Sequence, residues 1–307
     1  MTMRRRTFLG VCGTLGAAAA YGATTCAAAA DAPAGLVAPG ARLEKLADGF
    51  QFTEGPAADA QGNVYFTDQP NDRIVRWGTD GTVTDWMKPC GRSNGLFVDA
   101  AGNLLACADE KNQLWSISPE KKVTVLVKDY EGKLLNGPND LWIRPDGGLY
   151  FTDPFYKRSY WNRGPREQPR EAVYYLSPGR KRLVRVVDNL VQPNGIIGAP
   201  GGKAVYVADI RDRKTYRYVV QPSGALADPH LFCEMGSDGM TVDQQGNVYL
   251  TGRGVTVFNK TGEKIHHIDV PERWTANITF GGRDRRLLFI TASKGVYGLK
   301  MAVRGAG

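Results

Sequence analysis

Three stretches of the chain are variants of one another: "SDGMTVDQQGNVYL" (237–250), "SNGLFVDAAGNLLA" (93–106) and "TEGPAADAQGNVYF" (53–66). Each has a polar residue, a short apolar run, a glycine turn and an apolar strand-like run. Aligning the whole chain on that polar residue gives Glu54, Asn94, Asn139, Asn194, Asp238 and Asn277, at intervals of 40, 45, 55, 44 and 39 residues. Eight positions after the first five lie Gly62, Gly102, Gly147, Gly202 and Gly246; the sixth copy carries Arg285 there, in "GGRDRR". Strand-like runs follow each turn, among them "NVYFTD", "GLYFTD", "AVYVAD" and "LLFITA", and further runs such as "RIVRWG" and "AVYYLS" come after most of them. Alternation, β-branched and aromatic residues and glycine turns predict antiparallel strands throughout. Repeated units of roughly 40 to 50 residues with three or four strands each predict propeller blades, because radial repetition leaves few open sheet edges.

The fold expected is therefore all-β, a six-bladed β-propeller, in one domain from about residue 35 to 302. The segment "ARLEKLADGF" (41–50) is expected to supply the outer strand that closes the ring against the last blade, since an unpaired terminal blade would expose a sheet edge.

The N-terminus differs in kind. "MTMRRRTFLGVCGTLGAAAAYGATTCAAAA" (1–30) has three arginines, a weakly apolar Gly/Ala region and an alanine-rich exit, the layout of a removable export signal. Arg5-Arg6-Thr7-Phe8-Leu9 resembles a twin-arginine signal, which implies a periplasmic location. Cleavage near Ala30 fits the small-x-small rule, and Ala23 three residues before Cys26 argues against lipidation. Loss of residues 1–30 removes three arginines and no acid, taking the net charge from +8 to +5. Basic runs such as "SPGRKRLVR" alternate with apolar residues as exposed strands do, and no nucleic-acid-binding motif accompanies them. No stretch reaches the roughly 18 apolar residues of a membrane span. Cys90, Cys107 and Cys233 match no zinc pattern and make no disulfide framework.

In a propeller the innermost strand of each blade lines the central channel, so the six aligned polar residues form a ring at one mouth. Asn-Gly and Asp-Gly are also ordinary turn pairs, and that alternative fits any single copy. It fits the set less well: Glu54-Gly55 is a poor hairpin pair, Asn139 is followed by Asp140, and each unit's turn lies eight residues on. Unpaired carboxylates and amides in one narrow channel are costly without a partner. A hard cation compensates, and Ca²⁺ takes six to eight oxygen ligands; Mg²⁺, Mn²⁺ and Zn²⁺ are the other divalent ions considered. His and Cys, the usual zinc ligands, are absent from the ring.

"FTEGPAAD", "LNGPNDLWIRPDGGLYFTDPFY", "VQPNGI" and "SDGMTVDQQGNVYLT" together resemble the senescence marker protein/gluconolactonase family, which includes regucalcin and bacterial sugar lactonases. The resemblance spans nearly the whole chain after the leader. It implies a six-bladed propeller, a divalent-cation cofactor and a lactone substrate. It carries the metal ligands over to Glu54, Asn139, Asn194 and Asp238, and assigns the general base to Asp238. Asn94 and Asn277 are left for the substrate side, together with Asp140, which is also an alternative base, and Tyr156. Paraoxonases resemble the chain less: their second blade carries a catalytic His where this sequence has Asn94, and His230, His266 and His267 lie away from the ring.

The reaction expected is hydrolysis of a sugar lactone, with the carbonyl polarised by the metal and water activated by a carboxylate. A carboxylate bound to a cation is acidified and makes a weaker base, which is the difficulty with Asp238. No G-x-S-x-G elbow and no Ser/His/Asp set are present. Two other readings stand beside it: an esterase or phosphotriesterase on the same scaffold, and a binding propeller that catalyses nothing. Condensation of the strictosidine-synthase kind suits a carboxylate-rich ring less well. The insertion "PFYKRSYWNRGPREQPRE" (154–171) accounts for the 55-residue interval. Its Tyr156, Tyr160 and Trp161 are candidates for a substrate wall, and a plain exposed loop is the alternative.

Overall fold

The computed structural model describes residues 35–306. The expected export signal, residues 1–30, lies outside the described residues. The chain forms six four-stranded antiparallel sheets, the six-bladed β-propeller that the repeats predict. The innermost strands are Thr53–Ala58, Ser93–Val98, Leu141–Ile143, Pro193–Gly198, Met240–Val242 and Thr275–Gly281. Five blades take their four strands consecutively. The sixth takes three from the C-terminal end of the chain and its outermost strand, Glu44–Asp48, from the N-terminal side, paired with Gly295–Lys300. Hydrogen bonds from Ala38 N to Lys300 O (3.1 Å) and Ala302 N to Leu36 O (2.8 Å) reinforce this closure. The packed chain continues past residue 302: Gly305 bridges Asp243, and Ala306 N donates to Val242 O (3.0 Å).

Position within a blade explains the sequence texture of each strand. Second strands such as Leu104–Ala108 ("LLACA") and Leu149–Asp153 ("LYFTD") are buried along their whole length, because neighbouring blades cover both faces. Near-continuous apolar runs result, as expected for strands covered on both sides. Outermost strands such as Val83–Met87 and Lys264–Ile268 are largely exposed and mainly polar at the exposed positions. Phe66, Phe151 and Phe289 are fully buried at interfaces between blades.

The turn glycines all have positive φ, from +70° to +88°, a region glycine enters without steric cost. Each closes its turn with one backbone bond, as Gly62 N does to Asp59 O (3.0 Å). Arg285 occupies the equivalent place in the sixth blade at φ +56° and makes the same bond, to Gly282 O (3.0 Å). The deviant sixth copy thus keeps the turn and changes only its residue.

The glycines following the ring residues have a different cause. A Cβ on Gly55 would lie 2.1 Å from Asn94 O, one on Gly95 2.6 Å from Asn139 O, one on Gly195 2.9 Å from Asp238 O, and one on Gly239 1.9 Å from Asn277 Cγ. Inner strands of adjacent blades meet here almost backbone to backbone. The Glu-Gly, Asn-Gly and Asp-Gly pairs are therefore contact points between blades and not hairpin turns.

Candidate functional site

These close approaches bring the six aligned side chains to one end of the channel. Glu54, Asn94, Asn139, Asn194 and Asn277 are 1–5% exposed, while Asp238 keeps partial exposure at the mouth. Threonines on the second strands support the ring from outside. Thr67 Oγ1 donates to Asn94 O (3.1 Å), Thr291 Oγ1 accepts from Asn277 N (3.0 Å), and Thr251 Oγ1 donates to Ala276 O (2.8 Å). Each fastens one inner strand to its own blade or to the neighbouring one.

Both oxygens of Asp238 are hydrogen-bonded. Trp274 Nε1 donates to its Oδ2 (2.7 Å), and Asn194 Nδ2 donates to its Oδ1 (2.8 Å). The same Asn194 amino group donates to the Tyr156 hydroxyl (2.8 Å), so the insertion in the third blade does place one aromatic side chain at the ring. Asn194 Oδ1 is buried with no partner. Glu54 Oε2 accepts from Gly55 N (3.0 Å).

Burial raises the Glu54 carboxyl well above its ordinary range, and the nearby Asp238 carboxylate raises it further. Burial also raises Asp238, against the Trp274 and Asn194 hydrogen bonds that favour its ionised form. A buried Glu54 carboxyl, the half-buried Asp238 carboxyl in reach of it and an orphaned amide oxygen together describe a pocket rich in unneutralised oxygen. Oxygen donors on Glu54, Asn139, Asn194 and Asp238 fit a hard divalent cation. Among the described residues no three His, Cys, Asp or Glu side chains converge, so a cation held here must draw on amide oxygens as well as carboxylates.

Asn94 and Asn277 also belong to the ring. The Asn277 Oδ1 accepts from Ile278 N (2.8 Å), and the Asn277 side chain also bonds Asp140. Asp140 stands close enough to raise Glu54 and to be raised by Asp238. Its carboxyl accepts from Leu141 N (2.9 Å) and is bonded by Ile196 N and Asn277; burial, the larger effect, pushes it up to about 7. It faces a cavity of about 380 Å³ that continues down the channel between Leu96, Ile196, Met240, Ile278 and Phe280.

Elsewhere the insertion is committed to other contacts. Tyr160 bonds the Asp109 carboxylate and Trp161 Nε1 donates to Asp109 O (3.0 Å). His230, His266 and His267 sit on outermost strands. Cys90, Cys107 and Cys233 are buried free thiols whose ionisation burial disfavours. Sequence reasoning missed Trp274, Asp109 and Arg158. The charge of Arg158 is felt at both Glu54 and Asp238. Trp274 stands three residues ahead of Asn277 in a stretch with no local signal, whereas an arginine-rich insertion beside the ring was itself a visible cue.

Residues 52–294 match the model of the SMP-30/Gluconolactonase/LRE-like region. The chain is 29% identical over 286 residues to the gluconolactonase of Zymomonas mobilis subsp. mobilis, covering 83% of this chain and 80% of that protein. Among solved structures it is similar to a gluconolactonase of Xanthomonas campestris, with a TM-score of 0.81 at 31% identity over 87% of this chain and 91% of the other. The fold is shared with a regucalcin of Agrobacterium tumefaciens, a calcium-binding protein, with a TM-score of 0.74 at 19% identity, covering 86% and 95% of the two chains.

Proposed function

Because the chain belongs to the SMP-30/Gluconolactonase/LRE-like family, we propose that it is a hydrolase that opens a sugar lactone such as a gluconolactone. The relatives named gluconolactonase support the reaction class. The observation that carries the mechanism is the unpartnered Asn194 oxygen beside the buried Glu54 carboxyl and the half-buried Asp238 carboxyl. Glu54, Asn139, Asn194 and Asp238 would hold one divalent cation, Ca²⁺ being the best match to an all-oxygen donor set. Such an ion, when bound, would supply electrostatic stabilisation of the negative charge that develops on a lactone carbonyl oxygen.

The chain's own groups do the rest. Asp238, held between Trp274 Nε1 and Asn194 Nδ2, takes the proton of the attacking water as general base and returns it to the ring oxygen as the acyl C–O bond breaks. Its partial exposure lets water reach it. Asn94, Asn277 and Tyr156 bind the substrate hydroxyls around the ring. Asp140, committed to Leu141, Ile196 and Asn277 below the ring, holds the substrate-side amides in register and is the poorer candidate for base. The arginine-bearing leader supports export to the periplasm, where such an enzyme would meet lactones formed by sugar oxidation outside the cytoplasm.

The test is proton release from glucono-1,5-lactone by the mature protein, with Ca²⁺, with a chelator, and with Asp238→Asn. The variant is expected to lose about 10²–10⁴-fold in kcat, the usual worth of a general base, and the chelator to abolish turnover. A lactone that opens no faster than in buffer, with Ca²⁺ present, refutes the reading.

A further inference from the structure

The second blade breaks a rule that its neighbours obey. In blades 1, 3 and 4 the second strand ends in an aspartate whose carboxylate accepts two backbone N–H groups leading into the inner strand. Asp68 takes Gln51 N (3.0 Å) and Phe52 N (3.3 Å). Asp153 takes Asn136 N and Gly137 N (both 2.8 Å), and Asp209 takes Val191 N (2.7 Å) and Gln192 N (2.9 Å). By strand register the equivalent in blade 2 is Ala108, paired with Ser93 as Asp68 is with Thr53. The capping there is done from blade 1, by Asp72 on Cys90 N (3.0 Å) and Arg92 N (2.7 Å).

Asp109, the next residue, is buried at 3% exposure and has no such duty. Its carboxylate is used by the third-blade insertion instead: Arg158 Nε donates to Oδ2 (3.2 Å), and the Tyr160 hydroxyl bonds the same oxygen. Gln69 Nε2 adds a long contact (3.4 Å). Trp161 Nε1 donates to the Asp109 carbonyl (3.0 Å), and Arg92 stacks over the Tyr160 ring (4.6 Å). Gly137 provides the room, because a Cβ there would lie 2.6 Å from Asp109 Oδ1 and 2.9 Å from the Trp161 ring. Arg163 ties the far side of the insertion to Leu135 O (2.8 Å) and Asn136 O (3.1 Å).

On the ring side of this anchor are two groups. Tyr156 lies under the Arg158 guanidinium (5.0 Å) and bonds Asn194. Arg158 spends only Nε on Asp109, and its Nη atoms donate to no partner among the described residues. We propose that Asp109 is a positioning residue: it fastens the insertion through Arg158 and Tyr160, and so fixes Tyr156 and the free end of Arg158 as the wall that selects hydroxylated lactones over bare ones. This rests on the lactone-hydrolase reading above. A bidentate guanidinium fork suits paired ring hydroxyls, and holding it in place before binding removes part of the entropy cost of ordering it.

The experiment compares wild type, Asp109→Asn and Tyr160→Phe on glucono-1,5-lactone and on unsubstituted δ-valerolactone, with Ca²⁺ present. Loosening the wall is expected to raise KM for gluconolactone about tenfold, the worth of one charge-assisted hydrogen bond. It should leave kcat and all valerolactone constants within about twofold. Asp109→Glu should recover part of the loss. A parallel loss on both substrates, or no change on either, overturns the proposal. Native trypsin digestion reads the latch without any substrate: cleavage after Lys157, Arg158 and Arg163 should accelerate at least severalfold in both variants, and unchanged cleavage overturns it too. If wild type turns over neither lactone, the enzyme reading falls while the digestion still reports on the latch.

Discussion

Replacing Glu54 by glutamine separates a cation site from a merely polar channel, because the two predict opposite signs. Glu54 is 3% exposed, with one backbone donor and the Asp238 carboxylate nearby. Without a cation, burial and that second charge hold its carboxyl well above the ordinary range. At neutral pH the unfolded chain carries it ionised, so folding must either bury the charge or take up a proton, and both cost stability. A glutamine side chain at this position has no such cost, and its amide oxygen can still accept from Gly55 N. In chelator the Glu54→Gln variant should therefore melt above wild type. The advantage should shrink as pH falls toward the ordinary carboxylate range, where unfolded Glu is protonated too.

With Ca²⁺ the order reverses. A ligand at 100 times its Kd stabilises by about 2.7 kcal/mol, or about 5–10 °C at the roughly 2–4 °C per kcal/mol of large single domains. Wild type should gain that shift, and Glu54→Gln, short of one of two carboxylate ligands, should lose most of it. Differential scanning fluorimetry in chelator and in millimolar Ca²⁺, from pH 5 to 8, gives the four curves. A variant that melts below wild type in both conditions, or a wild type indifferent to every divalent ion, refutes the reasoning.

Two further outcomes test the framework around the ring. Gly55→Ala would set a Cβ 2.1 Å from the immovable Asn94 carbonyl and should cost about 3 kcal/mol, the upper end of ordinary overpacking; Gly102→Ala, with φ +82° and open space, should cost only about 1 kcal/mol of backbone strain, both read by urea denaturation. Asp153 is raised by burial to about 7, against the Gly137 and Asn136 hydrogen bonds; a raised carboxyl contributes stability below the ordinary carboxylate range that is lost as pH rises through 7. Between pH 4 and 7 wild type should thus lose stability more steeply than Asp153→Asn, and equal slopes in urea titrations refute that assignment.

The architecture could be read because it is repetitive. Six polar residues at near-regular intervals, five glycines eight positions on and an unpaired leading strand suffice for six blades and their closure. The resemblance to known lactonases then named four of the same six ring members, Glu54, Asn139, Asn194 and Asp238. The Asn-Gly and Asp-Gly pairs look like hairpin turns one at a time, and only their recurrence as a set argued otherwise. Their glycines answer to the neighbouring blade, and a contact between Gly55 and Asn94, or Gly239 and Asn277, leaves no trace in local pattern. Tyr160 and Trp161 were visible as wall candidates, but nothing along the chain says that they turn toward Asp109 while Tyr156 turns toward Asn194.

Periodicity and residue chemistry are local properties, so the number of blades, the type of strand and the oxygen-rich character of the ring are written along the chain. Partnership is a property of space. Trp274 reaches Asp238 across 36 residues and Arg158 reaches Asp109 across 49, and neither separation has a period or motif to announce it. Which carboxyl is pushed up by burial, which amide oxygen is left bare and which loop residue meets the ring depend on burial and close approach. Those arise only when the six blades close on one another.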